Sequence, residues 1–312
     1  MKKIILSLVL IITCILSLAS CSDKSKDEYD PTAKIDTVVD MTDVKLVQIG
    51  KLTVGVSPDF APMEFIDPTK KGQDQFVGAD IYLAKSMAKA FGVELEIKAM
   101  DFDILLTSLN SHLIDLVISG FGYTEDRAAS YLPSKVYYKE EGGGFTILVK
   151  KGEASKYDSI DDLNKASIKI AAQTGTLQEE VLDSSFPDAT PVKISNINEA
   201  ITNLKQGSYN AIVCDLNVAK TKVASDGEIE MCDVGIPELE NQGNYAWAQK
   251  ENHAIINAAN QVIDEVVNEG IFKEWYSYAN SIYLNLGDEA AEITPLTYLK
   301  SKEDNYEEEI LA

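Results

Sequence analysis

From Leu52 to Val56 the chain runs in mostly apolar residues after Gly50, which predicts a short buried strand. Over residues 79–91 the apolar positions fall at helical spacing instead. Ile81, Ala84, Ala88 and Phe91 form one stripe, and Gly92 stands where a helix would be capped. Val93 to Ile97 alternates at period two and reads as a strand. A helix near 104–111 and the apolar strand Ile114 to Ile118 follow. The second half repeats the plan, with strands at 168–172, 192–194 and 211–214 and helices near 176–183 and 197–206. Helical spacing returns from Ile255 to Val267, and a last helix starts at Ile271, expected to pack back on the first half. Strands alternating with helices predict an α/β fold of parallel sheets covered on both faces.

A weak internal echo divides this body into two similar lobes. Residues 105–120 align without a gap on 200–215, pairing Thr107 with Thr202, Leu109 with Leu204, and Val117-Ile118 with Ile212-Val213. Both copies end in polar or small residues, Ser119-Gly120 and Asp215, where a strand leaves its sheet. Ligands of open α/β sheets collect outside the carboxyl ends of strands, so both ends point to the space between the lobes. Residues 139–144 and 240–246 are the expected crossings, the first through three consecutive glycines that give a hinge backbone freedom.

The ends of the chain read differently. Lys2 and Lys3 precede an apolar run from Ile4 to Ala19, the parts of a secretory signal segment, and too short for the ~20 residues of a spanning helix. Leu18-Ala19-Ser20-Cys21 resembles a bacterial lipobox, which makes Cys21 the expected lipidation site and acyl-anchored N-terminus. The polar stretch after it is expected to be a solvated tether running to about Val44. The segment from Asp288 to Ala312 is expected to be a solvated acidic tail. The domain plan is then signal 1–20, tether 21–45, lobe 1 over 46–140 with 245–287, lobe 2 over 141–244, and tail 288–312.

Fifty acidic against 28 basic side chains leave a net charge of −22, which excludes a nucleic-acid partner on electrostatic grounds. Two histidines and four cysteines supply little for a zinc site or a Cys–His enzyme. No metal, cofactor or catalytic residue is expected. Cys214 and Cys232 fall in predicted strands, either as a disulfide formed after export or as buried thiols, the reading adopted here.

The candidate chemistry centres on two charges. Thr124, Glu125 and Asp126 make a good helix start, and Arg127 then sits in a first turn, where a cation opposes the helix dipole. A bound anion would reverse that balance, gaining backbone donors and a bidentate guanidinium. Asp215 ends an apolar strand at the same cleft and can also cap the helix beginning near Leu216. Opposite charges on opposite lobes suit a zwitterion such as a free amino acid. Phe60 and Phe102 lie in polar, loop-like contexts, where each can serve either core packing or contact with a ligand side chain.

The body resembles bacterial solute-binding protein family 3, the amino-acid receptors of ABC importers. The resemblance rests on Leu52 to Phe65, Val77 to Ala84, Asp101 to Leu105, Ile114 to Arg127, Gln173 to Thr176 and Tyr209 to Asp215, in order across about residues 46–285. It implies a two-lobed, type II periplasmic-binding-protein-like fold with two hinge crossings, closing over its ligand. It also implies that Arg127 grips the α-carboxylate, aided by Ser119, Gly120, Gly122, Gln173 and Thr176. Asp215 would take the α-ammonium and Phe60 and Phe102 would stack on the substrate. Gly122 departs from the family's usual Thr or Ser. Ser57 stands where relatives that bind basic or amide side chains often have an acid, which counts against lysine, arginine or histidine as ligand. The resemblance further implies a monomeric, lipid-anchored receptor on the outer face of the plasma membrane, partnered by a permease. Its rivals are a cleft enzyme of the cyclohexadienyl or arogenate dehydratase type and a sensory or surface lipoprotein of the same fold.

Overall fold

The computed structural model of the protein describes residues 29–139, 142–237, 239 and 243–287. The signal segment, Cys21 and the acidic tail lie outside the described residues. Two five-stranded sheets organise the chain. The first contains β1 (Lys51–Val56), β5 (Glu94–Ala99), β6 (Leu116–Val117), β7 (Tyr131–Tyr138) and β13 (Asn244–Gln249), in the order β5-β1-β6-β13-β7. The second contains β8 (Phe145–Lys150), β9 (Lys169–Gln173), β10 (Thr190–Ile194), β11 (Ala211–Asp215) and β12 (Ile229–Cys232), in the order β10-β9-β11-β8-β12. A small antiparallel sheet of β2 (Asp59–Phe60), β3 (Glu64–Ile66) and β4 (Phe76–Val77) sits beside the first.

Helices connect the strands: α1 (Ala79–Phe91), α2 (Phe102–Asn110), α3 (Glu125–Ser130), α4 (Ile160–Leu163), α5 (Leu177–Ser185), α6 (Ile197–Lys205), α7 (Leu216–Ser225), α8 (His253–Asn268) and α9 (Ile271–Leu286). The echo read from sequence is real in the topology. β1, β5 and β6 occupy in one sheet the places that β9, β10 and β11 occupy in the other, with parallel pairing in both. The sheets are mixed, however, not wholly parallel. β13 runs antiparallel to β6 and β7, and β8 runs antiparallel to β11 and β12. Each fourth strand is one the chain forms on crossing from the other sheet, which reverses its direction.

Alternation along the central strands feeds a core on each face. Ala211 and Val213 of β11 join one apolar cluster, and Ile212 and Cys214 join another on the opposite side. Such two-sided burial is what a covered parallel strand requires. Cys214 and Cys232 are both buried free thiols.

The first crossing runs from Tyr138 to Phe145, as expected, with Lys139 and Gly142 to Gly144 described. The second leaves β12 after Cys232 and enters β13 at Asn244. The expected crossing at 240–246 is therefore corrected: its last residues are already strand, and residues 240–242 lie outside those described. The last helix packs on α1 and α8 as expected and also touches α7 of the second lobe.

The tether is corrected too. From Pro31 the chain is docked rather than solvated, with Ile35 and Val39 buried against the first lobe. The Val39 N–H donates to the Ala90 carbonyl at 3.0 Å, and Trp275 Nε1 donates to the Pro31 carbonyl at 2.9 Å. Glu265 accepts from the N–H groups of Asp36 and Thr37. Apolar residues at Ile35 and Val39 give this polar-looking segment something to bury.

Candidate functional site

The carboxyl ends of the central strands meet at a cavity of about 100 Å³ between the two sheets. All nine residues singled out as ligand contacts line it: Phe60, Phe102, Ser119, Gly120, Gly122 and Arg127 from the first lobe, and Gln173, Thr176 and Asp215 from the second. Each local placement has a sequence cause. Asp215 ends β11 and caps α7, accepting from the N–H groups of Asn217 and Val218 at 3.0 and 3.2 Å. Thr176 caps α5, and its hydroxyl donates to the Gln173 carbonyl at 2.6 Å. Gly120 adopts φ 59°, and a Cβ there would stand 3.0 Å from the Phe60 ring, so glycine lets the ring close over the loop.

Arg127 is only 9% exposed. Its backbone N–H donates to Thr124 Oγ1 at 3.1 Å, the expected helix cap. The helix it starts has only six residues, too short for the dipole argument to weigh much. The guanidinium instead spans the lobes, donating to the Gly122 carbonyl at 2.7 Å and the Gly175 carbonyl at 2.6 Å. It lies over the Phe121 ring, with Cζ 4.9 Å from the ring centroid, and Phe102 stacks on the same ring, 4.0 Å between centroids. Burial pushes the guanidinium down to about 10, with Glu180 acting weakly the other way. No carboxylate among the described residues forms a salt bridge with it. A desolvated cation held by carbonyls alone is a place for an anion.

Phe102 therefore does two things, lining the cavity and packing on Phe121. Gly122 has a purpose that the sequence did not reveal: a Cβ there would lie 2.6 Å from Leu177 Cδ1 of the facing lobe. Glycine, with no Cβ, makes room for that contact.

Asp59 was passed over in the sequence, although it lies between Ser57 and Phe60. It lines the cavity, is 1% exposed, and accepts from Ser57 Oγ, Gln173 Nε2 and the Ile197 N–H, the last two from the other lobe. Burial raises its carboxyl, while the Ile197 N–H and the Lys222 charge oppose the rise. Lys222 is itself buried at the lobe contact, donating to Asn198 Oδ1 at 2.6 Å and Tyr283 OH at 3.0 Å. Met63, Tyr138, Asn244 and Tyr276 also line the wall. Their apolar or strand contexts carried no signal of a cleft.

Residues 52–278 match the family model of bacterial extracellular solute-binding proteins, family 3. The chain belongs to that family. The family's members are extracytoplasmic, and no helix among the described residues is long and apolar enough to cross a membrane. This family-3 chain is 29% identical, over 73% of its length and 86% of the relative's, to the arginine-binding extracellular protein ArtP of Bacillus subtilis. It superimposes with a TM-score of 0.69 on a Streptococcus pneumoniae amino acid ABC transporter substrate-binding protein bound to L-arginine. That match has 31% identity and covers 74% of this chain and 94% of the other. It is similar also to the ancestral amino-acid-binding protein AncCDT-1, a precursor of cyclohexadienyl dehydratase. There the identity is 29%, the TM-score 0.65 and the coverage 73% and 95%. The two-lobed α/β fold expected from the sequence is the fold of these neighbours.

Proposed function

We propose that this protein is a lipid-anchored, monomeric receptor on the outer face of the plasma membrane, binding a free amino acid in the cleft for an ABC importer. Arg127 takes the α-carboxylate and Asp215 the α-ammonium, with Phe60 and Phe102 beside the substrate side chain and Ser119, Gly120, Gly122, Gln173 and Thr176 completing the enclosure. The observation that carries this reading is the buried Arg127 guanidinium, which meets carbonyls of both lobes and, among the described residues, no carboxylate. A ligand carboxylate there gains charge-assisted hydrogen bonds where water is excluded. The lobes would swing apart about the two crossings to admit and release it.

The side chain bound is not a basic one on this reading. Asp59 spends its carboxylate on three protein donors, and Ser57 stands where relatives with basic ligands often carry an acid. Arginine, bound by two of the relatives above, is the competitor to exclude. On this reading the ligand is bound and released unchanged, in keeping with relatives that are binding proteins.

A thermal-shift screen over the twenty amino acids tests this, since a ligand that binds the native state raises Tm by mass action. A non-basic amino acid giving the largest shift, recovered with unchanged mass, is expected. Arginine, lysine or histidine giving the largest shift overturns the non-basic side chain, no shift at all overturns the receptor, and conversion of arogenate would make it a dehydratase.

A further inference from the structure

Behind the cavity wall lies a pair of buried acids that the ligand clamp does not use. Glu64 on β3 and Asp80 in the first turn of α1 both have no exposed surface. The backbone forces them together. Gly78, at φ 137°, lies so near β3 that a Cβ would stand 2.1 Å from the Met63 carbonyl oxygen, and the Asp80 N–H donates to that oxygen at 2.9 Å. A residue other than glycine would push α1, and Asp80 with it, away from Glu64.

Each acid turns one oxygen toward the cavity wall. Glu64 Oε1 accepts from the Ser119 hydroxyl at 2.7 Å, and Ser119 Oγ in turn accepts from the Ser57 N–H at 2.9 Å. Asp80 Oδ2 accepts from the Gly120 N–H at 2.7 Å and the Tyr137 hydroxyl at 2.8 Å. The other two oxygens, Glu64 Oε2 and Asp80 Oδ1, are buried and find no donor, yet the two side chains lie within hydrogen-bonding reach of each other. Two carboxylate oxygens can bond only through a proton, and one proton satisfies both orphans at once. The titratable groups facing the pair are Asp59 on β2 and Tyr137 on β7, neither of them a cation.

We propose that Glu64 and Asp80 hold a single proton between them, and through it act as positioning residues for the Ser119 hydroxyl and the Gly120 N–H on the cavity wall. Asp80 already has two donors on its other oxygen and Glu64 has one, so the proton resides on Glu64 and is donated to Asp80. Burial first, and the Asp80 charge second, hold the Glu64 carboxyl well above its ordinary range. The consequence for ligand affinity rests on the amino-acid reading of the cleft; the proton itself does not.

Infrared spectroscopy of the ligand-free protein, labelled at glutamate carboxyls, reads the proton directly. A protonated-carboxyl band near neutral pH that vanishes in Glu64→Gln is expected, and its absence from the wild type overturns the proposal. Glutamine offers Asp80 an N–H and Ser119 an acceptor, so its affinity should stay within about threefold of wild type, whereas Glu64→Leu offers neither and should lose about tenfold or more. A leucine variant as tight as wild type, or a glutamine variant as weak as expected for leucine, overturns the positioning role. If leucine does not fold, the band and the glutamine variant decide. If no amino acid binds, the reading of the cleft fails and the band alone still decides the proton.

Discussion

Replacing Arg127 with alanine removes the positive half of the clamp while sparing most of the fold. Two opposite charges about 4 Å apart attract by about 4 kcal/mol at an effective dielectric constant near 20. Removing one partner of an enclosed, hydrogen-bonded pair costs about 2–5 kcal/mol, a rise in Kd of roughly 30- to 5,000-fold. The upper part of that range is expected here, because the guanidinium is 9% exposed and water cannot easily replace it. The free protein responds differently. Alanine loses the hydrogen bonds to the Gly122 and Gly175 carbonyls and also relieves the burial of a cation that forms no salt bridge among the described residues. These effects oppose, so Tm without ligand should move by only a few degrees. Calorimetric titration with the amino acid that gives the largest thermal shift, alongside melting of the free variant, separates the two effects. A Kd within about threefold of wild type, in a variant that melts normally, would refute the assignment.

Other consequences follow from the same geometry. Asp59→Ala strips the acceptor from Gln173 and the Ile197 N–H, leaving donors of the second lobe unmatched at about 1–3 kcal/mol each if they stay buried. Small-angle scattering should then show a larger radius of gyration without ligand, and an unchanged radius would remove Asp59 as a tie between lobes. Gly122→Thr should weaken ligand binding through the 2.6 Å approach to Leu177, and Leu177→Ala in the same chain should restore it. Failure of that rescue would show the loss to have another origin. Ile35→Ala should lower stability by about 2–4 kcal/mol, visible as a drop in Tm, because this residue is 2% exposed on the first lobe; a truly free tether would show no change. As pH rises above the ordinary glutamate range, the wild type should lose stability relative to Glu64→Gln. A carboxyl whose folded value is raised contributes stability below its ordinary value, and loses it as pH rises through the folded one. Parallel curves would count against the raised carboxyl.

Much of this architecture could be read from spacing. The helix stripe over 79–91 and the echo of 105–120 in 200–215 correspond to real elements at equivalent places in two sheets. Arg127 and Asp215 stood out because each follows a strand and sits where helix energetics alone explain it poorly or only in part. The antiparallel strands were harder. β7 contains Pro133 and lacks clean alternation, and β13 begins with Asn244 after Gly243, which reads as a loop. Direction within a sheet is set by where the chain crosses, and local pattern does not encode it. The docked segment after Pro31 was hidden for a related reason: its apolar residues are scattered among threonines and charged residues, and only the facing helices make Ile35 and Val39 part of a core. Asp59 and the Glu64–Asp80 pair were invisible because an acid beside a turn normally signals solvent. Their burial depends on contacts between segments far apart in sequence.

The most direct test of the clamp uses the ligand rather than the protein. The tightest-binding amino acid can be compared by calorimetry with its α-carboxamide and with its N-acetyl derivative, each lacking one charge. Both analogues should bind at least about 30-fold more weakly than the parent zwitterion, with the carboxamide losing little further affinity when Arg127 is alanine. An uncharged analogue that binds as tightly as its parent would mean that Arg127 and Asp215 do not hold the two ends of the ligand.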